Sequence, residues 1–241
     1  MEHNLEAIKA QAIALLNELI EQTHFDDVIN GTLSWSLWEF NANKEHLIPD
    51  HIVINSGSTR MVFWDKNHHD YIFKMNMSAN DIDYNASELF IYQHACEYHV
   101  EDCFAWIAKV IDHGIFSIYA MPYCHISDTE LSAECYDKSF QAYCEEMGYD
   151  SEHLTSEQRE YIDSQIGGYS DTEGMLSYAS EYYDEDHYRE LCWFIDYFNL
   201  DDLHCGNWGF YQGQLVLTDY AGYCIDLIAY ANTHHSSTCQ E

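Results

Sequence analysis

Strand-like and helix-like segments occupy different stretches of this sequence, and that segregation limits the fold more than any other feature. Between Ile52 and Tyr123 the apolar residues come in short runs broken by polar turns. Ile52–Phe63 and Tyr71–Met75 read as strands joined by the polar turn Asp65–Asp70, and 106–112 with 115–123 as a second pair around Gly114. A single helix, 81–98, lies between the two pairs. After Ser127 the spacing becomes helical over 129–148, 155–166 and 172–198, with a break at Gly167–Gly168. A late hairpin, 208–211 and 215–219, turns at Gln212–Gly213. At the other end, Leu5, Ile8, Ala12, Leu15, Leu16, Leu19 and Ile20 give an amphipathic helix over 3–23, and the aromatic stretch 32–40 fits either type. Strands before helices predict an α+β chain of two lobes, 1–126 and 127–241.

Composition narrows the function classes. Nine Lys and Arg face 42 Asp and Glu, a net charge of −33, which repels nucleic acid and membrane phosphates and attracts basic proteins. No apolar run reaches the length of a membrane helix, and the charged first segment does not read as a signal peptide. A cytoplasmic protein is expected. The nine cysteines include no C-x-x-C pair, so reduced thiols are the expectation. The pairs His68–His69 and His234–His235 lack a partner pair at metal-ligand spacing.

Chemistry concentrates in Asp201–Asp202–Leu203–His204–Cys205–Gly206–Asn207 and in the Leu-Val-Leu-Thr strand that ends at Asp219. Phosphoryl transfer needs a carboxylate that positions the acceptor, and oxygen ligands that hold Mg²⁺ against the phosphates of ATP. An Asp five residues before an Asn supplies both from one loop, and an Asp closing the next strand adds a second metal ligand. Upstream, Lys74 interrupts the apolar strand YIFKM in a chain with only six lysines. An unpaired charge there would be costly.

These segments resemble the protein-kinase-like superfamily, in the D-L-H-x-G-N form of aminoglycoside kinases and small phage kinases. The sequence is most similar to the early host-shutoff serine/threonine protein kinases of short-tailed phages. The resemblance runs over residues 52–224 and implies a minimal two-lobed kinase-like fold, with a truncated helical second lobe and an extra N-terminal helix. It makes Asp202 the catalytic base, Lys74 the phosphate ligand and Glu88 the carboxylate that orients Lys74. Asn207 and Asp219 become the ligands of Mg²⁺ or Mn²⁺. Ile54–Val62 follows the glycine-rich nucleotide-loop frame, giving Gly57 and Ser58 a place at the phosphates. Met121 takes the gatekeeper position, and the backbone of Pro122, Tyr123 and Cys124 faces adenine. Departures accompany the match. Asn55 and Arg60 replace the flanking glycines, Asp201 stands where many kinases have Arg, and Ala221 replaces the glycine of D-F-G. Only 22 residues follow Asp219, so the peptide-binding helices and A-P-E segment of ordinary kinases are not expected.

Three functions fit these residues. The first is an ATP–Mg-dependent serine/threonine kinase acting on basic or nucleic-acid-binding host proteins, such as the transcription machinery, in the host cytoplasm. The second is a non-catalytic, DNA-mimicking inhibitor of a basic partner on a kinase-like fold. The third is a small-molecule kinase for cationic substrates. Direct binding to nucleic acid or membrane is not expected.

Overall fold

The computed structural model describes residues 4–30, 35–56, 60–77, 83–114, 116–125, 128–166 and 172–220. Within them the chain is α+β, and it divides into two compact units. One holds the described residues up to Gln93 together with Trp106–Tyr123; the other holds His94–Ala105 and the described residues from Cys124 onward. His94–Ala105 thus belongs to the second unit, although it precedes the lobe boundary that the strand and helix pattern places at 126–127.

In the first unit, α1 (Leu5–Thr23) starts where the Asn4 side chain accepts the Ala7 N–H at 3.2 Å, a normal N-cap. Its buried stripe is Ile8, Ala12, Leu15, Leu16, Leu19 and Thr23. Leu5 lies outside that stripe and is exposed. A short turn, α2 (Asp26–Ile29), leads to α3 (Trp35–Lys44), so the ambiguous aromatic stretch is helical from Trp35 onward. Trp38 fixes α3 by burying its ring edge-on against Phe25 and donating its indole N–H to the Thr23 carbonyl at 2.9 Å.

The sheet contains β1 (Ile52–Ser56), β2 (Met61–Asp65), β3 (Tyr71–Met77), β4 (Ala108–Asp112) and β5 (Phe116–Pro122), all antiparallel, in the order β1-β2-β3-β5-β4. The single strand expected over 52–63 is two strands, with Ser56 opposite Met61. The interruption falls at Gly57–Ser58–Thr59, which lies outside the described residues. Between β3 and β5 in the sequence, α4 (Tyr84–Glu97) begins where Asp83 Oδ1 accepts the Ala86 N–H at 3.0 Å. Directly opposed residues share a face of a sheet. Val62, Lys74 and Tyr119 are therefore on one side, and Phe63, Phe73 and Ala120 on the other. α1 packs on β4 and β5.

The second unit is mostly helical: α5 (Asp128–Met147), α6 (Ser156–Ile166), α7 (Thr172–Ala179) and α8 (Glu185–Phe198). Phe140, Cys144 and Ile162 form a small core between α5 and α6, surrounded by Tyr136, Tyr143, Tyr149 and Leu154. The helix expected over 172–198 is two. Asp184 caps a new helix by accepting the His187 N–H at 3.0 Å, and the preceding Tyr183 is buried with its hydroxyl on the Leu215 carbonyl. On α8, Leu191, Phe194, Ile195 and Phe198 make the buried stripe.

The closing hairpin, β6 (Trp208–Tyr211) and β7 (Gln214–Leu217), turns through Gln212 at φ 53° and Gly213 at φ 85°. Two positive φ values in a two-residue loop suit the right-handed twist of paired strands. Ala105 N–H donates to the Leu217 carbonyl at 2.7 Å on one side of the hairpin, and His125 pairs with Phe210 on the other. Among the described residues no helix is long and apolar enough to cross a membrane.

Phe73 has no exposed surface, and its ring lies 5.5 Å from that of Phe63. Phe73→Ala is expected to lower the unfolding free energy by roughly 3–5 kcal/mol in urea titration. A loss below about 1 kcal/mol would contradict a packed core at this position.

Candidate functional site

In the first unit the sequence-selected lysine and glutamate meet. Lys74 Nζ, on the middle strand of the sheet, donates to both carboxylate oxygens of Glu88, at 2.8 and 3.0 Å. The two side chains are 4% and 0% exposed, so neither charge is offset by water. Glu88 reaches β3 because α4 turns Asn85 and Glu88, three residues apart, onto the same face. Asn85 Nδ2 donates to the Lys74 carbonyl at 3.3 Å and ties the helix to the strand beside the ion pair.

Arg60, read from the sequence only as a missing glycine, is the third member of this cluster. Its Nη2 lies 3.0 Å from Glu88 Oε1, and its Nη1 donates to Asn85 Oδ1 at 3.2 Å. One buried carboxylate thus faces two buried cations. The available signal was scarcity: the chain has only three arginines, and this one precedes an apolar strand.

Tyr119, opposite Lys74 on β5, donates its hydroxyl to Asp83 Oδ2 at 3.1 Å, as does Ser117 at 3.3 Å. Burial and then the Asp83 carboxylate push the Tyr119 phenol far above its ordinary range, so it stays a donor. Asp83 therefore anchors the start of α4 to the sheet. Met121 is fully buried on β5, opposite Ile72. Tyr123 donates its N–H to the Asp70 carbonyl at 3.0 Å. Cys124 is buried at the beginning of a segment of the second unit. Gly57 and Ser58 lie outside the described residues.

In the second unit, Asn207 gathers the other two candidates, Asp202 and Asp219. Its Nδ2 donates to the Asp202 carbonyl at 2.6 Å, and its own carbonyl accepts from Thr218 N–H at 2.7 Å and Asp219 N–H at 3.5 Å. Asn207 is buried, while Asp202 and Asp219 are half-buried. Using Nδ2 on a carbonyl fixes the orientation of the amide and leaves Oδ1 as its oxygen ligand. The loop is held from below by Trp208, whose indole donates to the Leu203 carbonyl at 3.1 Å, and by Tyr220, whose hydroxyl donates to the Ala105 carbonyl at 2.8 Å. A Cβ at Gly206 would sit 3.0 Å from His204 Cε1, so the glycine lets the His204 ring fold back and accept the Gly206 N–H. Asp201 is exposed, and Asp202 is the member of the pair whose backbone the Asn207 amide holds.

The histidine pair of the 65–70 turn has local partners. His68 meets Asp65 Oδ2 at 3.1 Å, and His69 meets the Lys66 carbonyl at 3.2 Å. His234–His235 lies outside the described residues. Cys96, Cys103, Cys124, Cys144, Cys192 and Cys205 form no disulfide.

Removing the shared carboxylate tests the ion cluster. Glu88→Ala leaves Lys74 and Arg60 buried without their common counter-charge and is expected to cost about 3–5 kcal/mol in chemical unfolding. A cost within about 0.5 kcal/mol, the range of an ordinary surface change, would show that the cluster is not assembled in solution.

Compared with family models, with curated proteins and with solved structures, the chain matches none, so the reading of these residues rests on their own chemistry.

Proposed function

We propose that this chain is an ATP- and Mg²⁺-dependent phosphotransferase on a minimal kinase-like plan, acting on serine or threonine hydroxyls of proteins. The observation that supports it most is the bidentate Lys74–Glu88 pair, fully buried within a sheet-and-helix unit. A buried carboxylate that fixes an ammonium group orients it as a phosphate ligand and stops it from swinging to solvent. Arg60 adds a second cation beside the same carboxylate.

The second unit, taken by itself, carries candidate metal ligands and a candidate base. The Asn207 Oδ1 and the Asp219 carboxylate are hard oxygen donors, a set that fits Mg²⁺ or Mn²⁺ and not a soft metal. Bound there, the cation would neutralise phosphate charge. Asp202, with its backbone pinned by Asn207, would accept the proton of the acceptor hydroxyl and hold that oxygen toward the phosphorus.

The acceptor class follows from charge. Glu145, Glu146, Glu157, Glu160, Glu185 and Asp186 are all exposed on α5, α6 and α8 of the second unit. Such a surface speeds encounter with basic proteins in a salt-sensitive way and disfavours nucleic acid. The same surface supports a second reading, a non-catalytic acidic inhibitor that occupies a basic nucleic-acid-binding partner. Nucleotide dependence separates the two.

Ligand that binds only the folded state raises the melting temperature. ATP is therefore expected to raise it only when Mg²⁺ or Mn²⁺ is present, and Lys74→Ala and Asp219→Asn are each expected to abolish the rise. A folded wild-type chain with no ATP–Mg²⁺ shift would contradict the phosphotransferase reading and favour the inhibitor. A shift unchanged in both variants would contradict the assignment of these residues.

A further inference from the structure

We propose that Asp102, Cys103 and His187 form a binding site for a zinc-class divalent cation, distinct in chemistry and residues from the proposed Mg²⁺ ligands. All three belong to the second unit: Asp102 and Cys103 to the 3₁₀ turn Glu101–Cys103, and His187 to the first turn of α8. The cysteine and histidine are 84 residues apart in sequence. Their ligand atoms converge. His187 Nε2 lies 2.7 Å from Asp102 Oδ1 and 3.3 Å from Cys103 Sγ, and Sγ lies 3.8 Å from Asp102 Oδ1.

The convergence has a feature that a proton relay does not. In a Cys–His–Asp relay the thiol meets one ring nitrogen and the carboxylate meets the other. Here both meet Nε2. With both partners on one nitrogen, the ring cannot pass a proton from one to the other, so the trio is not a relay. Three donors of different softness directed at one point are the arrangement that a metal satisfies.

With bonds of about 2.3 Å to sulfur and 2.0–2.1 Å to nitrogen and oxygen, a tetrahedral centre sets its ligands roughly 3.3–3.8 Å apart. The two separations involving sulfur already lie there. The Asp102–His187 contact must open by about half an ångström at that geometry, which a rotation of the exposed Asp102 side chain provides.

Outer partners orient two of the ligands. Gln214 Nε2 donates to Asp102 Oδ2 at 3.3 Å, which leaves Oδ1 turned toward the histidine. His187 Nδ1 lies 3.8 Å from Glu190 Oε2, so a carboxylate stands behind the ring on the side away from the cluster. The His187 backbone N–H is fixed on Asp184 Oδ1, and its ring packs 5.7 Å from that of Tyr183. Carboxylate support behind a ligating imidazole is a regular feature of metal sites. The mixed S, N, O set selects Zn²⁺ or a similar borderline ion over Mg²⁺, which prefers oxygen alone. On binding, the Cys103 thiol releases its proton to solvent and its sulfur takes the metal, the imidazole donates the Nε2 lone pair, and water completes the fourth position. The ion would tie the 101–103 turn to α8, beside the β7 residue Gln214.

Cobalt reports this site directly. The full chain, stripped with a chelator and titrated with Co²⁺, is expected to bind one equivalent with a thiolate-to-cobalt charge-transfer band and the strong visible bands of a tetrahedral centre. Zn²⁺ should displace it and Mg²⁺ should not. Cys103→Ser is expected to remove the charge-transfer band, whereas Cys96→Ser, at an exposed thiol, keeps it. Asp102→Asn is expected to weaken binding at least about tenfold. Because Asp102 is exposed, that variant decides the matter if Cys103→Ser does not fold. Absence of one-equivalent binding by the folded wild type, an undiminished band in Cys103→Ser, or wild-type affinity in folded Asp102→Asn would each overturn the site.

Discussion

A single buried carboxylate facing two buried cations organises the first unit. Glu88 has no exposed surface, and both Lys74 Nζ and an Arg60 nitrogen lie within 3.0 Å of it. Removing three charges from water is expensive, and the cost is offset only if each finds its partners in a fixed geometry. Several structural choices follow from that demand. The helix must present Glu88 and Asn85 on one face, Asp83 must hold the beginning of that helix on Ser117 and Tyr119, and β2 must begin beside Arg60. A hydrophobic replacement of the same volume would satisfy the core at least as well.

The second unit solves a related problem with hydrogen bonds instead of charges. Asn207 joins the loop before the hairpin to the residues after it, because one side chain and one carbonyl reach Asp202, Thr218 and Asp219 together. Two half-buried aspartates are thereby held by their backbones. The hairpin between them needs its own support, which comes from Ala105 on β7, from His125 on β6 and from the Tyr183 hydroxyl on the Leu215 carbonyl. This explains why His94–Ala105 belongs with the helical unit although it stands among strand segments in the sequence.

What was legible in the sequence was local. The apolar stripe of α1, the strand carrying Lys74, the Gln212–Gly213 turn and the Asp202–Asn207 spacing all depend on residues a few positions apart. What was not legible depends on distant partners. Arg60 read as a defect in a glycine-rich frame, and its purpose appears only when Glu88 stands beside it. The break between α7 and α8 is invisible in the periodicity, because it is set by Asp184 capping a new turn and Tyr183 reaching a strand 32 residues away. Asp102, Cys103 and His187 have no motif spacing at all, since the chain must fold before they converge. The failure at Leu5 is of another kind: helical spacing predicts a face but not how far along the helix that face is covered.

Phosphate transfer is the most direct test of the account. With γ-labelled ATP, Mg²⁺ and a bacterial lysate as the pool of acceptor proteins, the wild-type chain should label one or more basic proteins. Asp202→Asn should keep its nucleotide-dependent thermal shift and lose transfer by roughly 10²–10⁴-fold. No labelling by a folded, nucleotide-binding wild type, or equal labelling by Asp202→Asn, would contradict it.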